Sequence, residues 1–275
     1  MRRQGCLRWL LWGGLIAVVL AIVVAAASYF LITPYQGYHD EVFVEVAHGT
    51  STRALATQLE QAGVIRSRYS LLILRATHPR AALQAGEYHF DEPLSAGEVF
   101  DKIRRGDIFF EDLTVPEGSN IYDIANLLKN LRSVKADGFL AAAADPQMVR
   151  DLDPQAPDLE GFLFPATYRL TRKTDGVALC RLMTAQFRKT WRTLTQNMSN
   201  VDVHRTVTLA SLVEKETAVG EERPLVAAVF SNRLQANMPL QCDPTVAYSA
   251  LRLNRYRGTI YKSDLASSDP YNTYA

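Results

Sequence analysis

The chain has 275 residues, a formal net charge of +1 and a hydrophobic content of 48%. This length is sufficient for two modest domains. The balanced charge argues against a nucleic-acid partner, whose recognition needs a basic surface. The three cysteines and five histidines are scattered without metal-ligand spacing, so we expect neither a metal nor a cofactor.

An uncharged, mostly apolar run over residues 9–33 dominates the N-terminus. As a helix rising ~1.5 Å per residue it is about 37 Å long, enough to cross a bilayer. Basic residues precede this run and the first charge after it is Asp40, so the positive-inside rule predicts a cytoplasmic tail over residues 1–8 and a body outside the cytoplasmic membrane. The basic residues are Arg2, Arg3 and Arg8.

The alternative to this single-pass anchor is a signal peptide cleaved at Ala25-Ala26-Ala27. The apolar run continues past that point, which favours an uncleaved anchor. On this topology Cys6 is cytoplasmic, whereas Cys180 and Cys242 lie outside, where a disulfide is chemically allowed. Two cysteines in a domain of this size are more often small buried side chains, and both alternatives stay open.

Residues 34–40 include Pro34 and Gly37 and predict a short linker. Alternating apolar residues then predict a strand over residues 41–46, followed by a helix that begins after a Gly-Thr-Ser turn and ends near Ala62. A second strand over residues 85–90 and a helix from Ser95 to Gly106 complete a small βα domain, which we place at residues 41–112.

The strand–turn–helix unit recurs at a constant offset. Residues 46–50 match residues 115–119, and each copy continues into a helix with the same apolar positions. The pattern resembles LysM modules, which bind N-acetylglucosamine polymers. The match is degenerate, so a purely structural βα unit is the alternative.

Residues 113–275 predict a second, mostly helical domain. It contains a helix and loop over residues 136–157 and an amphipathic helix over residues 177–198. Between them lies a segment that mixes aromatic residues with one carboxylate, Glu160. Phe162 and Phe164 could stack on sugar rings or pack in a core, and the sequence favours neither.

A helix over residues 209–218 carries the strongest catalytic candidate. Leu209, Leu212, Val213 and Glu216 follow the helical period, so Glu216 is predicted on the apolar face, whereas Glu214 lies about 200° round the helix. A buried carboxylate near the helix C-terminus favours its protonated form, as a general acid requires. The alternative is a solvated Glu-Lys-Glu cluster at a helix end.

Pro224 is suited to the first turn of the next helix, residues 225–235, which presents Asn232 and Arg233 at its end. We predict that this helix and a loop over residues 241–248 form one wall of a sugar groove. Gln241 or Asp243 should then lie within about 10 Å of Glu216. Arg233 is expected to pair with Asp243, the alternative being a carboxylate of the substrate.

Several motifs, in this order, resemble the YceG-like family of endolytic murein transglycosylases, which are membrane-anchored enzymes that cut peptidoglycan strands. They are Glu160-Gly161-Phe162-Leu163-Phe164-Pro165, Val213-Glu214-Lys215-Glu216-Thr217, Val229-Phe230-Ser231-Asn232-Arg233-Leu234, residues 240–248, and Tyr271-Asn272-Thr273-Tyr274. The resemblance implies that Glu216 is catalytic. With the residue patterns, it favours substrate binding by Glu160, Phe164, Asn232, Arg233, Gln241, Asp243, Thr245, Tyr248, Tyr271 and Asn272.

The expected fold class is α+β, with a transmembrane helix, a LysM-like βα domain and a mostly helical α+β catalytic domain that holds a glycan groove. The resemblance implies peptidoglycan strands, the membrane and peptidoglycan synthases as partners. It also implies further residues after Tyr274, so a chain that ends at Ala275 is expected to lack part of the groove wall.

A lytic transglycosylase needs one carboxylic acid, and Glu216 alone satisfies that need. Asn232, Gln241 and Asn272 could orient the sugar. A lysozyme-like hydrolase would need a second carboxylate, for which Asp243 and Glu160 remain candidates. A non-catalytic peptidoglycan-binding scaffold is the third alternative.

Overall fold

A computed structural model describes residues 2–274 of the chain; the side chains of residues 2–11, 13, 26 and 27 are outside its description. The class is mixed α+β, as predicted. The chain divides into two compact units, Met1–Phe110 and Glu111–Ala275. The predicted domains, with a boundary after residue 112, stay a prediction.

Among the described residues, the first unit contains two strands and four helices. They are α1 (Arg2–Ile32), β1 (Val42–Val46), α2 (Thr52–Gln61), α3 (Arg68–Thr77), β2 (Gly86–Phe90) and α4 (Ala96–Arg105). Strands β1 and β2 pair antiparallel, with Val44 opposite Tyr88, and both side chains are buried in the core. The strands and the helices α2 and α4 agree with the sequence-based prediction. Helix α3 was not predicted.

Within α1, Gly14–Ile32 is a stretch of 19 residues with a mean hydropathy of 2.9. Its length and composition are sufficient to cross a membrane, which is compatible with the predicted anchor. The side chains on which the predicted orientation depends, Arg2, Arg3 and Arg8, lie outside the described residues, as do those of Cys6, Ala26 and Ala27.

The predicted linker, residues 34–40, is bound to the first unit. The Tyr35 N–H donates to the Leu94 carbonyl at 3.0 Å, and the Gly37 N–H donates to the Gly63 carbonyl at 2.8 Å. Gly63 has a φ of +73°, and a Cβ there would lie 2.8 Å from the Gly37 carbonyl carbon. This close approach depends on tertiary contacts, so the Pro-Gly composition of the segment did not reveal it.

The second unit is mostly helical. Its elements are β3 (Glu111–Thr114), α5 (Ile121–Leu128), α6 (Ala136–Ala143), β4 (Thr167–Leu170), α7 (Gly176–Thr195), α8 (Val203–Glu216), α9 (Arg223–Gln235), α10 (Asp243–Arg252) and α11 (Lys262–Leu265). Strands β3 and β4 pair antiparallel, with Leu113 opposite Tyr168. The main core includes Phe139, Leu159 and Phe162, and a smaller cluster includes Leu212, Val213, Phe230 and Cys242.

The repeated strand–turn–helix unit is present in both units of the structure. In each copy a glycine with positive φ follows the strand, and the next hydroxyl donates at 2.8 Å to a carbonyl three residues earlier. The glycines are Gly49 and Gly118, and the hydroxyls belong to Thr50 and Ser119. The helix N-caps are Ser51 and Asn120, so the second cap is an amide rather than the expected hydroxyl. The likeness to LysM modules stays a prediction.

The predicted loop over residues 241–248 is wrong. Asp243–Arg252 forms helix α10, with Pro244 in its first turn. Four of its residues are buried, and two of these, Thr245 and Ser249, are polar. Because the buried face mixes hydroxyls with apolar groups, its helical period is weak in the sequence.

Candidate functional site

Glu216 is the last residue of α8, and Thr217 caps the helix. Its side chain is exposed, so the predicted burial is wrong. Leu212 and Val213 on the same face are buried in the smaller cluster. Glu216 lies about one turn further along the helix, where that cluster ends. The carboxylate is therefore accessible to a ligand from solvent.

Cys242 contacts the Glu216 carboxylate. Its thiol donates to Glu216 Oε2 at 3.5 Å, and the side chain is buried. Burial, with Glu216 as a further cause, raises the pKa of Cys242 to about 12. Gln241 and Asp243 are its neighbours in the chain, so this segment adjoins Glu216 as predicted. Cys180 and Cys242 are both free and buried, so they do not form the disulfide that the topology would allow and are instead small buried side chains.

The segment before α10 is tied to the end of the chain by two threonines. The Gln241 N–H donates to the Thr273 carbonyl at 3.0 Å, and the Cys242 N–H donates to Thr273 Oγ1 at 2.9 Å. Thr245 Oγ1 donates to the Cys242 carbonyl at 2.7 Å and lies 3.0 Å from Thr273 Oγ1. We call this arrangement the Thr245–Thr273 clamp. The Thr245 hydroxyl is engaged within it.

Within the part of the chain that the structure describes, Arg233 and Asp243 do not form the expected ion pair. Arg233 Nη1 instead donates to the Leu240 carbonyl at 2.5 Å, and Asp243 Oδ1 accepts from the Tyr274 hydroxyl. Asp243 is the first residue of α10 rather than part of a loop. Its partner, Tyr274, directly follows Thr273 of the clamp. Arg233 and Asp243 therefore stabilise residues 240–243 through separate hydrogen bonds.

Glu214 belongs to a separate ion pair. Arg223 Nη2 lies 3.1 Å from Glu214 Oε2. The two glutamates of the Glu-Lys-Glu motif therefore have different partners, Arg223 for Glu214 and Cys242 for Glu216, which agrees with the predicted separation round the helix.

A second set of predicted residues meets at Glu160. Its Oε2 accepts from the first N–H of α5, that of Ile121, at 3.1 Å, and from the Tyr248 hydroxyl at 2.8 Å. Burial raises the pKa of Glu160, and these two donors oppose the rise. The Tyr248 ring contacts the Tyr271 ring edge-on at 5.1 Å. Arg252 lies over Tyr271, 4.5 Å from its centroid.

The other predicted site residues differ in exposure. Asn232 and Gln241 are exposed, and Phe164 is half-buried against the main core, in which Phe162 is fully packed. Asn272 is buried, and its amide donates to the carbonyls of Leu265 and Ser267. These bonds give Asn272 a structural role, and its contact with substrate stays a prediction.

Four residues of the site were not assigned a role from the sequence: Cys242, Arg252, Thr273 and Tyr274. Cys242, Thr273 and Tyr274 lie inside the quoted motifs, so the motifs themselves were the available signal. Their roles depend on contacts across about 30 residues of chain, which spacing alone does not give.

The sequence profile of the YceG-like family matches residues 44–275. A Bacillus subtilis (strain 168) protein named endolytic murein transglycosylase is 29% identical over 252 residues, which cover 85% of this chain and 69% of that protein. A protein of the same name from Streptococcus pneumoniae (strain ATCC BAA-255 / R6) is 29% identical over 263 residues, and the chain spans about half of it, 48%.

Among solved structures, the 2.6 Å crystal structure of a yceG-like protein from Listeria monocytogenes is similar to this fold. The TM-score is 0.50 at 27% sequence identity, and the alignment covers 86% of this chain and 83% of that chain.

Proposed function

Because this chain belongs to the YceG-like family, we propose that it is a membrane-anchored lytic transglycosylase. It cleaves the bond between N-acetylmuramic acid and N-acetylglucosamine inside peptidoglycan strands and leaves a 1,6-anhydro end. The names of the relatives support the reaction class. The observation that carries the assignment to a residue is the exposed carboxylate of Glu216, held at the end of α8 by a neutral thiol.

In the proposed reaction, Glu216 begins as a carboxylic acid. It donates its proton to the glycosidic oxygen while the bond from that oxygen to C1 of the muramic acid breaks. The resulting carboxylate then removes the proton of the C6 hydroxyl, and O6 forms the new bond to C1. The proton returns to Glu216, no water is consumed, and the two bond changes balance.

The partners of the neighbouring carboxylates support Glu216 as the acid. Glu214 pairs with Arg223, and Glu160 accepts from a backbone N–H and a tyrosine. Among the residues that the structure describes, the Glu216 carboxylate has a single hydrogen-bond donor, the weakly donating thiol of Cys242. A carboxylate with few partners is the one best able to exchange a proton with a bound sugar.

We further propose that the sugar path passes the end of α9 and the start of α10, forming the predicted groove. The exposed side chains of Asn232 and Gln241 support this path, since polar groups there can orient a sugar. Phe164, Tyr248 and Tyr271 are half-buried aromatic residues of the same unit, and we include their rings in the proposed groove. Five other predicted residues hydrogen-bond to groups of the protein, which favours a role in shaping the groove over direct contact with the sugar. They are Glu160, Arg233, Asp243, Thr245 and Asn272.

The proposal includes the setting of the enzyme. Helix α1 is apolar enough to anchor it in the inner membrane, with the rest of the chain in the periplasm. The repeated turn supports a LysM-like first unit that binds N-acetylglucosamine polymers. An enzyme held at the membrane and cutting nascent strands would terminate their elongation, with peptidoglycan synthases as partners.

A lysozyme-like hydrolase is the second candidate. It is favoured by one observation, the position of Asp243 directly after Cys242, which brings a second carboxylate near Glu216. Hydrolysis would leave a reducing end. The chemistry of the product end therefore separates the two reactions.

The experiment is the digestion of purified glycan strands with the full chain in detergent, followed by mass analysis of the product ends. We expect anhydro ends, and a loss of about 1,000-fold in cleavage rate for Glu216→Gln, because an amide cannot transfer the proton. Glu214→Gln is the matched control, and it should retain most activity because Glu214 pairs with Arg223.

Three results would count against the proposal. Reducing ends would indicate the hydrolase. Equal losses in the two variants at unchanged thermal stability would remove the assignment to Glu216. A wild-type protein that binds glycan strands without cutting them would indicate a scaffold.

A further inference from the structure

We propose that Cys242 is a positioning residue for Glu216: its thiol selects the carboxylate orientation from which the proton is transferred. This inference rests on the proposed function, in which Glu216 is the acid. It extends that function to a residue whose type gives no catalytic role of its own, since the thiol neither bonds to substrate nor exchanges its proton.

The first support is the geometry of the contact. Cys242 Sγ lies 3.5 Å from Glu216 Oε2. An exposed glutamate at a helix end is otherwise free to change rotamer, and each wrong rotamer moves the acid away from the glycosidic oxygen. A donor on Oε2 fixes one rotamer and leaves Oε1 directed elsewhere for the proton transfer.

The second support is that the thiol stays a donor. Burial and the nearby Glu216 carboxylate raise the pKa of Cys242 to about 12. The side chain is therefore protonated throughout the neutral range, and it never repels the carboxylate as a thiolate would. A thiol is also a weak donor, so its role here is to orient the carboxylate rather than to bind it tightly.

The third support is the rigidity of Cys242. Its N–H donates to Thr273 Oγ1 and its carbonyl accepts from Thr245 Oγ1, so the clamp holds both sides of the residue. Its side chain packs with Leu212 and Val213 of α8, one turn before Glu216. The Cys242 thiol is thus packed against α8, the helix that carries Glu216.

Cys180 provides a matched comparison within the chain. It is also free and buried, and burial also raises its pKa to about 12. Within the described part of the chain its thiol makes no hydrogen bond, and it lies in the main core on α7. The two thiols differ in their contact with a carboxylate, so Cys180 serves as the internal reference.

The first test is kinetic and uses the full chain on glycan strands. Cys242→Ala removes the donor, and we expect kcat to fall about tenfold with KM unchanged, since orientation rather than binding is lost. Cys242→Ser restores a donor and should recover most of the loss. Cys180→Ala creates a cavity without touching a carboxylate, and it should lower thermal stability while kcat stays the same.

The second test does not depend on activity. The S–H stretching band of Cys242, identified in the infrared by its loss in Cys242→Ser, should move to higher frequency in Glu216→Ala, which removes the acceptor. The Cys180 band should not move.

The outcomes separate this proposal from the proposed function. If the wild-type enzyme is active and its Cys242→Ala variant keeps the same kcat, the positioning role is overturned. It is also overturned if the S–H stretching frequency of Cys242 does not change in Glu216→Ala. A wild-type protein without cleavage activity overturns the proposed function, and with it any role in catalysis, even where the band responds.

Discussion

Three glutamates of the second unit, Glu160, Glu214 and Glu216, differ in their partners, and the partner limits what each can do. Glu214 faces a guanidinium at 3.1 Å, which stabilises its charged form. Glu160 satisfies the first N–H of α5, a group that every helix start leaves without an intrahelical acceptor. Glu216 faces a thiol and solvent. These partners agree with the proposal that Glu216, rather than Glu214 or Glu160, is the acid.

Glu160 is expected to make stability depend on pH. Because burial raises its pKa above the ordinary 4.5, the folded state favours the protonated form. This contribution is fully present below pH 4.5 and is lost as the pH rises through the raised pKa. Glu160→Gln cannot ionise, so thermal unfolding between pH 4 and pH 8 should show wild type losing stability relative to this variant.

The donor from Tyr248 supplies the control for that measurement. Its hydroxyl opposes the rise in the pKa of Glu160, so Tyr248→Phe should raise that pKa further and extend the loss to higher pH. Unfolding temperatures of wild type and Glu160→Gln that run parallel across the pH range would contradict the argument.

At the level of residues, local geometry was predictable and exposure was not. The period of an α-helix separates Glu214 from Glu216 whatever surrounds them, and the structure agrees. The burial of Glu216 required packing to continue for one more turn beyond Leu212 and Val213, which no local pattern specifies. Its contact with Cys242 joins residues 26 positions apart, and no local sequence pattern predicts this contact.

The turn between Glu160 and Phe162 places the Glu160 network against α8. Gly161 has a φ of +82°, and a Cβ at this position would lie 2.8 Å from Val207 Cγ1. Gly161→Ala therefore adds a steric clash to left-handed strain, and we expect a loss of about 2–3 kcal/mol in the free energy of unfolding. Thermal or urea unfolding measures this loss directly.

Gly258 is the matched control. Its φ of +85° gives the same strain, but nothing lies within 4 Å of its Cβ position. Gly258→Ala should cost about 1 kcal/mol, so the difference between the variants isolates the packing on α8. Equal losses would mean that the turn does not bear on this helix.

Among the elements, helices with a clear apolar period were predictable, and α10 was not. Pro244 two residues after Cys242 is a helix-start signal, yet Thr245 and Ser249 made the buried face look polar. The Thr245 hydroxyl is accommodated in the buried face because it donates to the Cys242 carbonyl within the clamp. The pairing of β3 with β4 also escaped prediction, since it joins Thr114 to Thr167, which are 53 positions apart in the chain.

At the scale of the whole chain, each unit has its own hydrophobic core and its own antiparallel strand pair. The family match begins inside β1 and covers most of the first unit and all of the second, but not α1. The turn repeated in both units was predictable because it depends on residues within five positions. Membrane attachment therefore needs its own test, independent of the family.

We predict that residues 9–33 form a permanent anchor with the body of the chain outside the inner membrane. Protease added to spheroplasts should digest the body and leave a small membrane-bound N-terminal fragment, because the bilayer protects the apolar run. Intact spheroplasts with a cytoplasmic marker protein control for leakage, and lysed spheroplasts should expose residues 1–8. Recovery of a soluble form that begins near Ser28 would establish a signal peptide, since cleavage after the three alanines removes most of the span.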